Sequence, residues 1–212
     1  MQQPERGRTR LDPEVRRGLI IDAAASVFAG RDPAEVTFEE IAEAASVSRA
    51  LVYNYFGDRG GLLAAVYLRS FENLNAQLRA SIDRRLTPVD RVRATVRVYL
   101  LFARDNPAGW RLLQMAGAMD HPAVVEARRQ QMDDLARGLG GTTEARCVAC
   151  GIVGLLESAT LDWLHGLDVD VDVERLADIL FDLVWTGLSS LATYGIAITP
   201  DRRDRRSATA SP

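Results

Sequence analysis

The chain has 212 residues, of which 47% are hydrophobic, so it is long enough to bury a sizeable core in one domain or in a small domain joined to a larger one. Its 26 basic residues are all arginine, and 29 acidic residues bring the net charge to −3, which excludes a protein that coats nucleic acid through net charge alone. Two cysteines are too few for a disulfide framework. The first residues lack the apolar run of a signal peptide, and charges or glycines interrupt every long apolar stretch, so we expect a soluble, cytoplasmic protein without a membrane span.

The first part of the chain reads as a polar arm followed by three helices. Residues 1–12 are polar and rich in arginine, a composition typical of a flexible basic arm. From Pro13 on, apolar residues recur at the spacing of one helix face. They are Ile20, Ala23, Ala24, Val27 and Phe28. Thr37 and Glu40 form a capping box that starts a second, short helix, and Ser48 is placed to cap a third.

The remainder of the chain also reads as helical. Asp58 is placed to cap a long fourth helix that runs to about Asp83. Pairs of a capping residue and a proline predict further helix starts. They are Thr87-Pro88, Asn106-Pro107 and His121-Pro122. Two longer helices are predicted over residues 142–167 and 172–197, and no segment alternates with the two-residue period of a strand, so we predict an all-α fold.

The third helix carries a candidate surface for reading DNA. Two short helices joined by a tight turn have the layout of a helix-turn-helix. With Val52 and Phe56 turned inward, the opposite side of the third helix presents Arg49, Tyr53 and Asn54. Arginine donates two hydrogen bonds to guanine, asparagine pairs with adenine, and a tyrosine hydroxyl reaches phosphate. This set of side chains is suited to the major groove.

Residues 37–62 resemble the signature of TetR-type regulators. The stretch TFEEIA and the stretch ASVSRALVYNYFGDRGGL are similar to the family pattern T-x-x-x-I-A-x-x-A-G-V-S-x-G-x-L-Y-x-H/Y-F-x-S/D-K-E-x-L. Ser46 and Ala50 stand where the pattern has glycines, and Arg59-Gly60 stands where it has Lys-Glu. The resemblance implies a dimer that binds a palindromic operator, usually a repressor that is released by a ligand bound in the C-terminal domain.

The motif and the resemblance together predict the domain organisation. Residues 13–60 are expected to form a three-helix, helix-turn-helix DNA-binding domain, and residues 61–198 a larger helical domain for ligand binding and dimerisation. Residues 1–12 either enter the minor groove of DNA or remain solvated. Residues 199–212 are expected to be a disordered tail.

The predicted DNA contacts extend beyond the third helix. Thr37 and Arg59, at the starts of the second and fourth helices, are expected to hold backbone phosphates. The full set of residues predicted to bind DNA is Thr37, Ser48, Arg49, Ala50, Leu51, Tyr53, Asn54, Tyr55 and Arg59.

The C-terminal region is predicted to hold a small-molecule pocket and the dimer interface. Large apolar residues and a few polar ones suit a small apolar or aromatic ligand. The candidate lining residues are Phe102, Trp110, Met119, Glu157 and Trp163. The alternative is that these side chains close a dry core. We expect the homodimer to form through the last two helices, where Gly151, Gly154 and Gly187 interrupt apolar faces.

Other candidate sites are weaker. Cys147 and Cys150 form a C-x-x-C without a second pair, inside a predicted helix where their spacing strains a disulfide, so we expect small core residues rather than a redox or metal site. Asp168, Asp170 and Asp172 imitate a calcium loop, but no glycine follows where the turn needs one. No nucleophile with its base is recognisable, so we expect no catalysis, no metal and no cofactor.

Two alternatives to the repressor remain open. One is a DNA-binding regulator that is constitutive or activating. The other is an all-helical enzyme or small-molecule carrier in which the helix-turn-helix pattern is accidental.

Overall fold

The computed structural model describes residues 12–81, 85–165 and 171–197, and these ranges form ten α-helices and two 3₁₀ turns with no strand. The helices are α1 (Pro13–Gly30), α2 (Phe38–Ala44), α3 (Arg49–Phe56), α4 (Arg59–Ser81), α5 (Pro88–Asp105), α6 (Pro107–Leu113), α7 (Ala116–Met119), α8 (Pro122–Gly138), α9 (Thr143–His165) and α10 (Val173–Ser190). The 3₁₀ turns cover Pro33–Glu35 and Leu191–Tyr194. The all-α prediction is confirmed. The tail, nearly all of the arm, Asp83, Asp168 and Asp170 lie outside the described residues.

Several helices begin where the sequence predicted because local side chains satisfy their free N–H groups, whereas α6, α7 and α10 begin without a side-chain cap. Thr37 Oγ1 accepts from the backbone N–H of Glu40 at 3.3 Å, and Glu40 Oε2 accepts from the backbone N–H of Thr37 at 2.7 Å, which completes the capping box. Four further residues each accept one hydrogen bond from the helix that they precede: Ser48, Asp58, Thr87 and His121. A cap of this kind contributes about 1 kcal/mol.

The larger cluster of buried side chains runs from α1 to α10. Its completely or almost completely buried members include Ile20, Phe28, Ile41, Val52, Leu62, Val66, Leu100 and Val124. Helix α4 connects the two ends of this cluster, since it packs against α1 and α3 and also against α5, α6, α7 and α8. Burial of each large apolar side chain contributes about 1.5–3 kcal/mol. The helix-turn-helix is therefore held on the same core as the C-terminal helices.

Helices α9 and α10 leave apolar faces exposed to solvent in the single chain. Ile179 is 52% exposed and Leu183 is 56% exposed on α10, while Arg93 and Arg97 of α5 form ion pairs with the acidic side of α10. Both helices are long and apolar enough to cross a membrane by length and composition, a test that core helices of soluble proteins also pass. Ile179 and Leu183 lie on the face of α10 that the sequence predicted for dimerisation, whereas Ile152 and Leu155 of α9 pack partly against the core.

The prediction that the two cysteines are small core residues is wrong. Cys147 and Cys150 are free thiols on the exposed side of α9. The residues of that segment that pack inward are Ala145 and Ala149, which are buried in a smaller cluster with side chains of α10. The error arises because small and apolar residues occupy every side of this part of α9, so their pattern does not identify the buried face.

Candidate nucleic-acid interface

The turn between α2 and α3 fixes the angle at which α3 is presented. Ser46 has a φ of +54°, in the left-handed region that disfavours residues with a Cβ. The N–H of Val47 donates to the carbonyl of Ala42 at 2.9 Å, and the N–H of Ser46 donates to the carbonyl of Glu43 at 3.0 Å. This pair of bonds is a Schellman motif. Serine therefore makes the turn for which the family pattern uses glycine.

The junction between α3 and α4 depends on a close backbone approach. Gly57 ends α3 with a φ of +74°. A Cβ on Gly61 would lie 2.1 Å from the carbonyl oxygen of Phe56, so only glycine fits at the start of α4. Asp58 Oδ1 accepts from the N–H of Gly61 at 2.8 Å. The position of α3 is thus fixed at both of its ends.

The outer side of α3 carries most of the residues predicted to contact DNA. Those that are exposed are Ser48, Arg49, Ala50, Tyr53 and Asn54. Val52 and Phe56 are buried beneath them, as predicted. Leu51 and Tyr55 are half-buried at the border of this face, and Tyr55 packs against the core. The side chains with base-reading chemistry therefore share one exposed face.

Arg49 is held by neighbours on two helices. Its Nη1 forms an ion pair with Glu39 Oε1 of α2, and its Nη2 donates to the Tyr53 hydroxyl at 3.3 Å. The guanidinium carbon lies 5.4 Å from the centroid of the Tyr53 ring, and that ring lies 4.5 Å from the ring of Phe38. The hydrogen bond to Tyr53 and the charge of Glu39 raise the pKa of Arg49 above its ordinary value. Arg49 is therefore fully charged and positioned before any DNA binds.

Sequence reasoning missed Glu39 and the contribution of α1. The partner of Glu39 is ten residues away along the chain, and only the turn brings the two side chains together. The guanidinium of Arg17, on α1, lies 5.4 Å from the ring centroid of Phe56 and adds a positive charge beside α3. No local signal in the sequence identifies either contact.

Thr37 and Arg59, the predicted phosphate ligands, both make contacts within the protein. The Thr37 hydroxyl belongs to the capping box of α2, and Arg59 Nη2 donates to the carbonyl of Val36 at 2.7 Å. Arg31 forms an ion pair with the Glu40 carboxylate of the capping box, with 2.5 Å between Arg31 Nη1 and Glu40 Oε1. That contact and the hydrogen bonds from Thr37 lower the pKa of Glu40 to about 2. Arg59 thus ties the start of α4 to the segment before α2.

The predicted ligand residues lie in different places in the C-terminal helices. Phe102 lines a cavity of about 300 Å³ between α4, α5 and α6. Glu157 lines a cleft of about 500 Å³ between α8 and α9. Trp110 is buried and Met119 is half-buried in the core, and Trp163 donates from Nε1 to a backbone carbonyl. These two cavities do not bring the five residues together.

A partly buried polar cluster lies next to the cleft. Arg128 donates to the Tyr67 hydroxyl at 3.0 Å and to Glu157 at 3.2 Å, which links α8 to α4 and α9. Burial raises the pKa values of Tyr67 and Tyr99. The Tyr99 ring meets the Trp110 ring edge-on at 5.2 Å. The side chains of Arg128 and Glu157 are 31% and 32% exposed, so the cluster extends from the core to the cleft.

Three buried side-chain polar atoms in the C-terminal helices lack partners among the described residues. They are Arg91 Nε, Trp110 Nε1 and Thr160 Oγ1. Leaving such a group unsatisfied costs about 1–3 kcal/mol, so a bound molecule that supplies the missing partner would stabilise the protein.

A helical core that presents an exposed helix with Arg49, Tyr53 and Asn54 on its outer face has the architecture of a helix-turn-helix DNA-binding protein. Residues 20–66 match the sequence model of the protein family described as bacterial regulatory proteins, tetR family. The chain is 31% identical over 152 residues to the HTH-type transcriptional regulator BetI of Rhizobium meliloti, which is 68% of this chain and 75% of BetI. The chain belongs to the TetR family, and its helix-turn-helix is not an accidental pattern.

Two further comparisons extend over most of the chain. It is 28% identical over 189 residues to the HTH-type transcriptional activator FasR of Mycolicibacterium smegmatis, 85% of this chain and 86% of FasR. A TetR-like transcriptional regulator from Rhodococcus sp. RHA1 has a solved structure that superposes with a TM-score of 0.64 at 29% identity, over 85% of this chain and 99% of that one. The similarity thus includes the C-terminal helices as well as the helix-turn-helix.

Proposed function

We propose that this protein is a ligand-responsive repressor that binds a palindromic operator as a homodimer, with α3 of each subunit in the major groove. The observation that carries the proposal is the exposed face of α3, where Arg49, Tyr53 and Asn54 lie over a buried apolar base. In this proposal Arg49 and Asn54 read bases. Tyr53, Thr37 and Arg59 bind phosphates, while Ser48, Ala50, Leu51 and Tyr55 contact the DNA beside them.

The proposed domain boundary falls near residue 60. Residues 13–60 carry the DNA contacts, and residues 61–198 carry dimerisation and ligand binding. Helix α4 crosses from one part to the other, so the two parts share a core and are mechanically connected.

The proposed dimer forms through α9 and α10. No side chain or backbone atom lies near the space that a Cβ would take at Gly151, Gly154 or Gly187, so a partner helix has room to approach. Ile179 and Leu183 provide an exposed apolar surface on the same face of α10 as Gly187, eight and four residues before it. A two-fold contact of four helices hides both faces and places the recognition helices about 34–36 Å or somewhat more apart, close to one turn of DNA.

A charge placed on this face tests the dimer. Leu183→Glu is expected to give a monomer in sedimentation and to lose cooperative binding to a palindromic duplex. Leu135→Glu is the matched control, because Leu135 is also an exposed leucine but lies on α8, outside the proposed interface. A Leu183→Glu protein that remained dimeric would contradict the proposed interface.

The proposed ligand is a small apolar or aromatic molecule bound among the C-terminal helices. Phe102 and Glu157 line two different cavities, so the five predicted residues do not form one lining, and the proposed site uses only part of the predicted set. Support comes from the partly buried polar cluster and the unsatisfied indole N–H of Trp110. These groups let a largely apolar site orient a polar group of its ligand.

Two contacts provide a route from the C-terminal helices to α1. Arg111 of α6 donates to the carbonyl of Ala29, and Arg69 of α4 forms an ion pair with Asp22 at 3.2 Å. A ligand that binds one arrangement of α4 and α6 better than another would therefore shift α1 and the recognition helix.

Ligand response is tested by titrating apolar and aromatic metabolites while following both operator binding and melting temperature. A ligand that binds the native protein must raise the melting temperature, and an inducer must also weaken operator binding. Release from the operator without any stabilisation would contradict the ligand half of the proposal and leave the DNA-binding half intact.

Activation is a second candidate function, and the name of FasR, a transcriptional activator, favours it. The two functions differ in the sign of a reporter response. Deleting the regulator raises expression of a reporter gene whose promoter carries the operator if the protein represses, and lowers that expression if it activates.

A further inference from the structure

Helix α2 places one carboxylate on the reading face. Of the three acidic residues of α2, Glu40 belongs to the capping box, and the Glu43 side chain forms no hydrogen bond or ion pair with the described residues. Glu39 is the one that reaches across to α3, where it forms the ion pair with Arg49. The side chains of Glu39 and Arg49 are 56% and 55% exposed, so this ion pair lies at the surface that DNA is proposed to cover.

Stability explains the position of this carboxylate only in part. Glu39 lies in the first turn of α2, where a negative charge interacts favourably with the helix dipole, and Glu40 occupies the same turn. The ion pair itself contributes little to folding, because it is more than half exposed, solvent screens it and both side chains lose rotamer freedom. A negative charge at this surface also repels phosphates, which opposes DNA binding in general. The carboxylate is therefore unfavourable for affinity, and its contact with Arg49 is nearly neutral for folding.

The geometry of Arg49 gives the carboxylate a different role. A guanidinium has five N–H groups, and within the protein Glu39 accepts from Nη1 while the Tyr53 hydroxyl accepts from Nη2. Tyr53 is itself fixed by ring contact with Phe38. The remaining N–H groups are free to donate to a base. A flexible side chain is in this way held in one orientation before binding.

We propose that Glu39 is a positioning residue for sequence reading, which orients the Arg49 guanidinium toward a base and opposes binding to DNA that does not engage it. In a specific complex Arg49 stays between Glu39 and the base, so its charge compensates the carboxylate. In a non-specific complex Arg49 turns to a phosphate and leaves Glu39 uncompensated beside the DNA backbone. This inference rests on the proposed contact of Arg49 with a base.

The test compares Glu39→Gln with Glu43→Gln. Both variants remove one negative charge from α2, and only the first removes a contact with Arg49. The probes are a duplex selected by the wild-type protein from a random library and a scrambled duplex of the same composition. Binding is measured by fluorescence anisotropy over a range of salt concentrations, with melting temperature as the control for folding.

Both variants are expected to bind the scrambled duplex somewhat more tightly than the wild type. Glu39→Gln alone should reduce the ratio of selected to scrambled affinity, by roughly tenfold, and broaden the preference at one base of each half-site. In an Arg49→Ala background the same substitution should leave the ratio unchanged, because the residue that Glu39 positions is already absent.

Three results would overturn the proposal. The ratio for Glu39→Gln could equal that for Glu43→Gln, or it could rise, which would make Glu39 a competitor of DNA for Arg49. Glu39→Gln could also lower the ratio further in the Arg49→Ala background, which would show that it acts independently of Arg49. If Arg49→Ala itself preserved the base preference, the proposed base contact would fail first, and that failure is visible without any Glu39 variant.

Discussion

Glycine in place of Ser46 is expected to stabilise the protein. Ser46 has a φ of +54° at the end of α2, and the backbone hydrogen bonds donated by Ser46 and Val47 hold the turn there. The left-handed conformation costs a residue with a Cβ about 1–2 kcal/mol, and glycine does not bear that cost. Glycine loses more backbone entropy on folding, about 0.5–1 kcal/mol. The net expectation is a gain of about 0.5–1 kcal/mol.

This gain is measurable by thermal and urea unfolding. For a chain of this length, about 1 kcal/mol corresponds to a rise of about 2–4 °C in melting temperature. Ser46→Ala is the matched control, because it removes the hydroxyl but keeps the Cβ, and it should give no gain. Operator affinity should be unchanged in both variants, since the turn geometry is kept. A Ser46→Gly protein that melted no higher than the wild type would refute the claim that the serine is strained.

Three further predictions concern the recognition helix and its supports. Gly61→Ala should displace α3 and lower both the melting temperature and the operator affinity, whereas Gly60→Ala should be tolerated far better. Equal effects of the two variants in melting and gel-shift experiments would contradict the close approach of position 61 to the Phe56 carbonyl. Arg49→Ala should relax the base preference. Arg59→Ala should weaken binding to DNA of every sequence alike and reduce the slope of log affinity against log salt concentration by roughly one per subunit, as measured by binding at several salt concentrations. The pKa of Glu40 is lowered from 4.5 to about 2, so its contribution to stability is complete above pH 4.5 and is lost as the pH falls toward 2. Glu40→Gln should therefore reduce the pH dependence of the urea unfolding midpoint between pH 4.5 and pH 2. An unchanged pH dependence would argue against the contacts of Glu40 with Arg31 and Thr37.

The parts of the fold that depend on neighbouring residues could be predicted from the sequence. The capping box of Thr37 and the cap of Ser48 use partners three residues away, so both helix starts were predicted. Val52 and Phe56 are likewise one helical turn apart, and their burial follows from spacing alone. Helix α7 was missed because it is a single four-residue turn with no side-chain cap.

The contacts that depend on tertiary packing could not be predicted in the same way. Arg128 meets Tyr67 and Glu157 across separations of 61 and 29 residues, and no periodicity encodes such a meeting. The exposure of Cys147 depends on which side of α9 packs inward, and apolar residues on several sides leave that choice to the rest of the fold. The candidate ligand residues were chosen by composition, which does not specify whether side chains share one cavity.

Selection of binding sites from a random duplex library, followed by sedimentation of the selected complex, tests the central claim most directly. A dimer with α3 in the major groove should enrich a palindrome whose half-sites are centred about one DNA turn apart, or somewhat more, and an even number of subunits should bind each site. The Arg49→Ala protein should enrich the same palindrome with one base of each half-site degenerate. Enrichment of no palindrome, binding of a single subunit per site, or an unchanged motif for Arg49→Ala would contradict the claim that paired α3 helices read an operator through this face.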